Sequence, residues 1–313
     1  MTVIDLKTGK ETALPAGVRL SCALGNFDGV HLGHAELLKK TAKKEYGSDA
    51  SAVWTFRVHP QVCLGNTSVR ILTSTEQKLE YFKEYGIEYA ILEDFQNVAS
   101  LSPEEFAKDL LIEKLGVNHA VCGFNFSFGK KAAGNCAMLK EYFEESGLPV
   151  SVIPPLKIEG ELVSSSLVRA KIEAGNVEEA EKLLGHPFSI YLPVTEGRRL
   201  GRTIGTPTMN QVFPKNHAIP RFGVYASRCC VDGKIYLGIS NVGIRPTIEE
   251  KEKIANCETH ILDYSGDLYG KNIRVDFCKF IRDEQRFDSI EALTREINKN
   301  IAQIRAYFGE QKS

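Results

Sequence analysis

At Gly185-His186-Pro187 the sequence changes texture, and one layered architecture does not accommodate both sides of the change. Ahead of it, short apolar runs at residues 18–24, 50–56, 89–92, 117–123 and 150–153 alternate with helical stretches at 35–46, 74–84 and 103–115, the last capped by Ser102. Such alternation predicts a parallel, doubly wound, Rossmann-like sheet that binds ligands at its strand C-terminal ends. Two further helices, 167–174 and 177–184, lead to Gly185 with Pro187 just beyond, a stop signal that sets the expected boundary between domains 1–185 and 186–313. Beyond it, β-rich runs such as 223–230, 234–240 and 272–280 follow one another between Gly, Pro and Asp232-Gly233. Helical spacing returns at 290–308, where Ile290, Leu293, Ile297, Ile301, Ile304 and Phe308 form one stripe, expected to pack on the all-β body.

Composition narrows the function. With 39 basic and 40 acidic residues in 313, the chain has no broad polyanion-binding field, which argues against a nucleic-acid or membrane-surface role and for small-molecule work. Eight scattered cysteines without a CxxC pair, and an N-terminus without a charged-then-apolar leader, read as a reduced, cytoplasmic protein. No apolar run approaches the roughly 18 residues of a membrane span.

The segment Gly25-Asn26-Phe27-Asp28-Gly29-Val30-His31-Leu32-Gly33-His34 closes the first apolar run with a small-residue turn and opens a helix. A helix N-terminus presents unpaired N–H groups and positive potential to phosphate, and glycines let a ligand approach the backbone. His31 and His34, three apart, face one side of a helix and can act together on one anion. A metal site is the competing reading, but no Cys or carboxylate stands nearby at a usual zinc spacing.

This segment resembles the opening signature of the HxGH nucleotidyltransferases, and within them of the bacterial riboflavin kinase/FMN adenylyltransferases. Three further segments resemble the same family: His59-Pro60, residues 123–129, and Ser164-Ser165-Ser166-Leu167-Val168-Arg169. The resemblance implies a Rossmann-like N-terminal domain that adenylates FMN to FAD and a C-terminal β-barrel with a terminal helix that phosphorylates riboflavin to FMN, each with Mg-ATP. In its terms His31 and His34 hold ATP phosphates, and Gly25, Asn26, Phe27, Asp28, Gly29 and Gly33 line the nucleotide turn. Ser164, Ser165, Ser166 and Arg169 close on the β and γ phosphates, with Arg169 neutralising the leaving pyrophosphate; His59, Pro60 and Asn125 face the flavin. The chain departs from the family in one loop: Asn125 stands for an Asp, Ser127 for an Arg, and Ala132, Ala133, Gly134 and Asn135 for an Arg followed by a Gly-Asp pair. Two alternatives follow, a riboflavin kinase with weak or lost adenylyltransferase activity and, from another class, a flavin-responsive regulatory protein.

The second half carries Gly197-Arg198-Arg199-Leu200-Gly201-Arg202-Thr203-Ile204-Gly205-Thr206-Pro207-Thr208-Met209-Asn210. Its glycines can bring N–H groups against phosphate, and Thr208 and Asn210, two apart on an extended chain, can turn their oxygens the same way toward Mg²⁺. Residues 238–247, 258–263, 267–270 and 281–287 resemble the riboflavin kinase domain in order and spacing. By that resemblance Gly201, Arg202, Gly205, Pro207, Thr208 and Asn210 bind Mg-ATP, with Thr208 and Asn210 on the metal. Arg282, Glu284 and Phe287 belong to a flap near the isoalloxazine. Glu258 is the expected general base, since a primary alcohol must lose its proton as it attacks the γ-phosphorus. The small molecules implied are ATP, riboflavin, FMN and FAD.

Overall fold

A computed structural model of the chain describes residues 1–6, 14–196, 206–245 and 254–310. It divides into two compact units, Met1–Ser165 and Ser166–Ser313.

The first unit is built on strands β1 (Thr2–Asp5), β2 (Leu20–Leu24), β3 (Ala50–Phe56), β4 (Tyr89–Glu93) and β5 (Val117–Gly123), the short pair β6 (Ser127–Phe128) and β7 (Gly134–Asn135), β8 (Val150–Ile153), and the short pair β9 (Lys157–Ile158) and β10 (Glu161–Leu162). Six of these form one all-parallel sheet in the order β1-β4-β3-β2-β5-β8. Side chains alternate across it: Leu20, Cys22 and Leu24 enter one core with Trp54, Phe106 and Phe143, while Ala23 enters the other with Phe27, Val53 and Phe82. The chain builds outward from β2 in both directions, so the crevice beyond the C-terminal ends of β2 and β5 is where a ligand is expected.

Helices α1 (Leu32–Ala42), α2 (Pro60–Cys63), α3 (Thr75–Glu84), α4 (Phe95–Val98), α5 (Pro103–Glu105) and α6 (Cys136–Glu145) lie between the strands in sequence, with α1 packed on β2, β3 and β5 and α6 on β8. α1 starts and stops earlier than the periodicity at 35–46 suggests, because His31 caps it and Lys44 and Tyr46 take positive φ. The helix expected at 103–115 does begin on a Ser102/Glu105 capping box with Pro103 in its first turn, but continues as a π-helical segment over Phe106–Lys114. β1 was not foreseen; four residues with only Ile4 buried carry little periodic signal.

Helix α7 (Ser165–Glu173) opens on the last residue of the first unit and continues into the second, where it and α8 (Val177–Leu184) precede β11 (Phe188–Thr195), β12 (Met209–Val212), β13 (Gly223–Val231), β14 (Lys234–Arg245), β15 (Ile254–Ile261), β16 (Asn272–Arg282) and α9 (Ile290–Glu310). The compact division falls ahead of residue 185 because α8 buries Val177, Ala180, Leu183 and Leu184 while packing on β11 and β16. The strands close into an antiparallel barrel in the order β11-β12-β15-β14-β13-β16. α9 packs on it through Ile304 and Phe308, which meet Val224, Ala226, Ile239 and Cys278. The expected stripe is shorter than its sequence, since Ile290 is 57% exposed. Among the described residues no helix is long and apolar enough to cross a membrane.

Candidate active sites

The turn after β2 is tightly held. Phe27, Gly29 and Val30 all take positive φ, a strained state for a β-branched residue such as Val30. The strain is held in place by a buried scaffold. The Asp28 carboxylate accepts from the Leu72 and Thr73 N–H groups at 2.8 and 3.2 Å, and the Gly29 N–H donates to the Thr73 hydroxyl at 2.8 Å. The Ser165 hydroxyl, at the start of α7, donates to the Asp28 carbonyl at 2.7 Å. Asp28 is thus a brace of the turn, and the middle serine of the Ser164–Ser166 run fastens it. Ser166 and Arg169 follow on α7 in the second unit, Ser166 exposed and Arg169 half-buried.

His31 is the N-cap of α1: its Nδ1 accepts the His34 N–H at 3.2 Å. That bond fixes the tautomer, because an accepting Nδ1 is bare and the proton of the neutral ring sits on Nε2. The His31 and His34 rings stack with centroids 3.7 Å apart, and Phe27 lies 5.1 Å from His34. Gly33 makes room for the stack, since a Cβ there would lie 3.1 Å from the His31 ring; at Gly25 one would lie 3.2 Å from Phe27. Burial lowers the His31 pKa to about 4. His34 is held well below the usual value, by burial first and then by the charges of His31 and Lys78. Both rings are therefore neutral, and among the described residues the buried His34 Nδ1 has no partner.

A cleft opens beside this turn, lined by Asn26, Asp28, Arg57, His59, Thr73, Ser74, Thr75 and Lys78 among others. His59 caps α2, its Nδ1 accepting the Gln61 N–H at 3.2 Å, with Pro60 in the first turn. Thr73 and Lys78 were missed by motif reading. A signal for Lys78 was present: it shares the inward face of α3 with Tyr81 and Phe82, at helical spacings of three and four.

The same burial has a consequence for stability. His119, wedged between the Ser21 and Ser151 hydroxyls at 3.0 and 2.9 Å, also has its pKa lowered to about 4, by burial first. Unfolded histidines titrate near 6.5, so between that value and about 4 the unfolded chain takes up protons that these folded rings refuse. Stability is therefore full above pH 6.5 and declines as pH falls to about 4, at up to about 1.4 kcal/mol per pH unit for each such histidine. Urea midpoints followed from pH 7 to 4.5 should show this decline, and a His119→Asn variant a shallower one; a flat profile would contradict it.

Asn125, in the departing loop, is exposed, as is Ser127. Asn135 caps α6 by accepting from the Ala137 and Met138 N–H groups at 2.9 and 3.1 Å, a task an Asp would perform equally, so that replacement keeps the local fold.

In the second unit the barrel register assembles a polar row. Asn210 on β12 pairs directly with Glu258 on β15, which pairs with Asn241 on β14, so the three side chains share one face. Asn256, two residues before Glu258 and missed by motif reading, shares that face and is buried; its amide donates to the Glu258 Oε1 at 3.1 Å and lies 3.4 Å from the Asn210 Oδ1. Met209 pairs instead with Thr259, in the buried layer where the Ser227, Ser240 and Thr259 hydroxyls are joined by 2.8 Å bonds. His260 is engaged through its Nδ1 with the Pro207 carbonyl at 2.8 Å. Glu284 accepts from Asn241 at 3.3 Å, and Gly243 leaves it room. Arg282 donates to Asn300 of α9 at 3.1 Å, pairs with Glu296 at 3.4 Å, and covers the Phe287 ring at 5.7 Å. Gly201, Arg202 and Gly205 lie outside the described residues.

Among the described residues no cluster of three or more His, Cys, Asp or Glu could hold a metal. Thr208 and Asn210, the pair expected on the metal, bring a hydroxyl and an amide oxygen, hard donors few in number, which fits an ion that keeps most of its shell as water and substrate phosphate.

Comparison with known proteins follows the same division. The FAD synthetase family model matches residues 17–167 and the riboflavin kinase model residues 184–308. Relatives named bifunctional riboflavin kinase/FMN adenylyltransferase include one from Listeria monocytogenes, 35% identical over 92% of both chains. One from Bacillus subtilis is 36% identical over 91% of this chain and 92% of its own. One from Escherichia coli is 35% identical over 92% and 93%. Among solved structures, that of a macrolide-efflux protein from Streptococcus pneumoniae superposes with a TM-score of 0.84 at 30% identity, covering 97% of this chain and 99% of that one.

Proposed function

Since the chain belongs to the family of bifunctional riboflavin kinase/FMN adenylyltransferases, we propose that the two sites described above divide its two activities between them, with catalytic territory changing hands at 185/186. The chain is a transferase with both activities, phosphorylating riboflavin to FMN and adenylating FMN to FAD. The observation that carries the assignment of residues is the pairing of a stacked, neutral imidazole couple at a helix N-terminus in one unit with a cross-strand Asn210–Glu258 pair in the other.

In adenylyl transfer an oxygen of the FMN phosphate attacks the α-phosphorus of ATP, a P–O bond forms, and the bond to the bridging oxygen breaks to release pyrophosphate. His31 Nε2–H and His34 donate to the triphosphate, Gly25 to Gly29 and Gly33 admit it to the backbone, and Ser164 to Ser166 with Arg169 take charge developing on the leaving group. His59, Pro60 and Asn125 line the flavin side. In the kinase site the 5′-hydroxyl of riboflavin attacks the γ-phosphorus, the bond to the bridging oxygen of ADP breaks, and the hydroxyl proton passes to a Glu258 carboxylate oxygen. Asn256 orients that carboxylate through Oε1. Thr208 and Asn210 would hold Mg²⁺, which when bound offsets phosphate charge. Gly201, Arg202, Gly205 and Pro207 cover the phosphates, and Arg282, Glu284 and Phe287 edge the flavin. The free thiols and the use of soluble nucleotides support a cytoplasmic setting.

Incubation of the purified chain with riboflavin and Mg-ATP, followed by chromatographic separation of flavins, should show FMN and then FAD. FMN that accumulates without FAD would confine the activity to the kinase, and no conversion of either flavin would overturn the assignment.

A further inference from the structure

Lys78 is the one buried lysine of the first unit's core face whose charge the fold leaves without an ion-pair partner among the described residues. It is 5% exposed, and its Nζ donates to the main-chain carbonyls of Phe56 at 3.0 Å and Asn26 at 3.4 Å. Asp28 and Glu76 act on it only through space. Withdrawing an ammonium from water is costly, and two neutral carbonyls replace its hydration only in part. The helix does not need it: α3 is fixed by the Ser74–Gln77 capping box and by Tyr81 and Phe82. Burial accordingly lowers the Lys78 pKa to about 8.

The position of this charge is informative. Lys78 lines the cleft with the Thr73, Ser74 and Thr75 hydroxyl-bearing residues at the start of α3, and with Arg57 and His59. An ammonium has three N–H bonds, so two carbonyls leave one for whatever enters the cleft. Its charge is also felt by His34, so it lies within electrostatic reach of the imidazole pair, on the β3 side of the Asn26–Gly29 turn. In-line transfer brings two anions together from opposite sides of one phosphorus, and each needs its own cationic seat. The imidazole couple at the start of α1 seats one.

We propose that Lys78 is a substrate-contacting residue of the adenylyltransferase site, its ammonium binding the phosphate monoester of the acceptor, FMN, within the cleft beside Asn26. This rests on the assignment of adenylyl transfer to the first unit. Removing a hydrogen bond from a charged donor to a phosphate raises KM by about 10- to 100-fold.

Lys78→Met should therefore raise the KM for FMN in adenylylation by that factor while leaving the KM for ATP within about threefold, and Lys78→Arg should restore most of the loss. Riboflavin phosphorylation by the same preparations, unaffected, reports the intact second unit, and a thermal melt reports the first; should Lys78→Met fail to fold, Lys78→Gln takes its place. The KM for FMN should also climb between pH 7 and 9 in the parent chain and stay level in Lys78→Arg. The titratable groups facing Lys78 are Asp28 of the turn, Glu76 of α3, Arg57 after β3, His59 before α2 and the neutral His34 of α1. Carboxylates, guanidinium groups and imidazoles ordinarily change charge outside that window. An unchanged KM for FMN, a rise confined to the KM for ATP, or a fall in kcat alone would overturn the proposal. His31→Ala assayed in parallel separates the two levels: if it too adenylates FMN at the parent rate, the assignment of the site fails, whereas a silent Lys78→Met beside a crippled His31→Ala sinks only the role of Lys78.

Discussion

Glu258→Ala abolishes riboflavin phosphorylation, by about 10²- to 10⁴-fold in kcat, and leaves FMN adenylylation at the parent rate. The carboxylate is the sole acidic side chain in the Asn210–Glu258–Asn241 row, and one of its oxygens is already engaged by Asn256. In the proposed mechanism the other accepts the hydroxyl proton. Glu258→Gln is the sharper variant, because it keeps shape and a carbonyl oxygen for Asn256 while removing the base; it should fail as badly as alanine. Steady-state rates with riboflavin, and separately with FMN, check both halves. A Glu258→Gln chain that phosphorylates riboflavin within tenfold of the parent would remove the glutamate from proton transfer.

His31→Ala does the reverse, lowering adenylylation by about 10²- to 10³-fold, the usual effect of removing a donor to developing charge, with riboflavin phosphorylation intact. Alanine also deletes the N-cap of α1, at about 1 kcal/mol of stability. His31→Asn separates the two effects: asparagine is a good cap but reaches no phosphate through an Nε2–H. It should melt like the parent and adenylate like His31→Ala. If His31→Asn regains most of the activity, the ring is only a cap.

Much of this was legible in the sequence, and the remainder was hidden for identifiable reasons. The alternation ahead of Gly185 gave the parallel sheet because buried parallel strands are short apolar runs, and the stripe of α9 gave its packing face at Ile304 and Phe308. The HxGH segment announced itself because two histidines and several glycines cluster at the end of an apolar run, a grouping that core periodicity does not produce, although the structure also uses His31 as a cap and Gly33 to admit the stacked rings. What stayed hidden depends on partners far apart in sequence. Asp28, read as nucleotide-lining, does line the cleft, and its carboxylate also braces the Leu72 and Thr73 N–H groups, a tie that no local pattern shows. Asn256 looks like any strand polar residue until the structure shows its amide reaching both Glu258 and Asn210. The π-helical run at Phe106–Lys114 has no periodic signature distinct from an α-helix over nine residues.

The closure of the barrel bears on how its chemistry can be damaged. Asn210, Glu258 and Asn241 face one way only because three strands keep a common count. A shift of β15 by a single residue would send Glu258 into the buried layer of the Ser227 and Ser240 hydroxyls and bring Cys257 or Thr259 out in its place. In an open sheet such an error can be shed at a free margin; a ring has no margin, so a miscounted loop anywhere around it must be absorbed by every neighbour in turn. Insertions and deletions in the connections of this unit are therefore expected to be felt at Glu258 even when they fall on the far side of the ring.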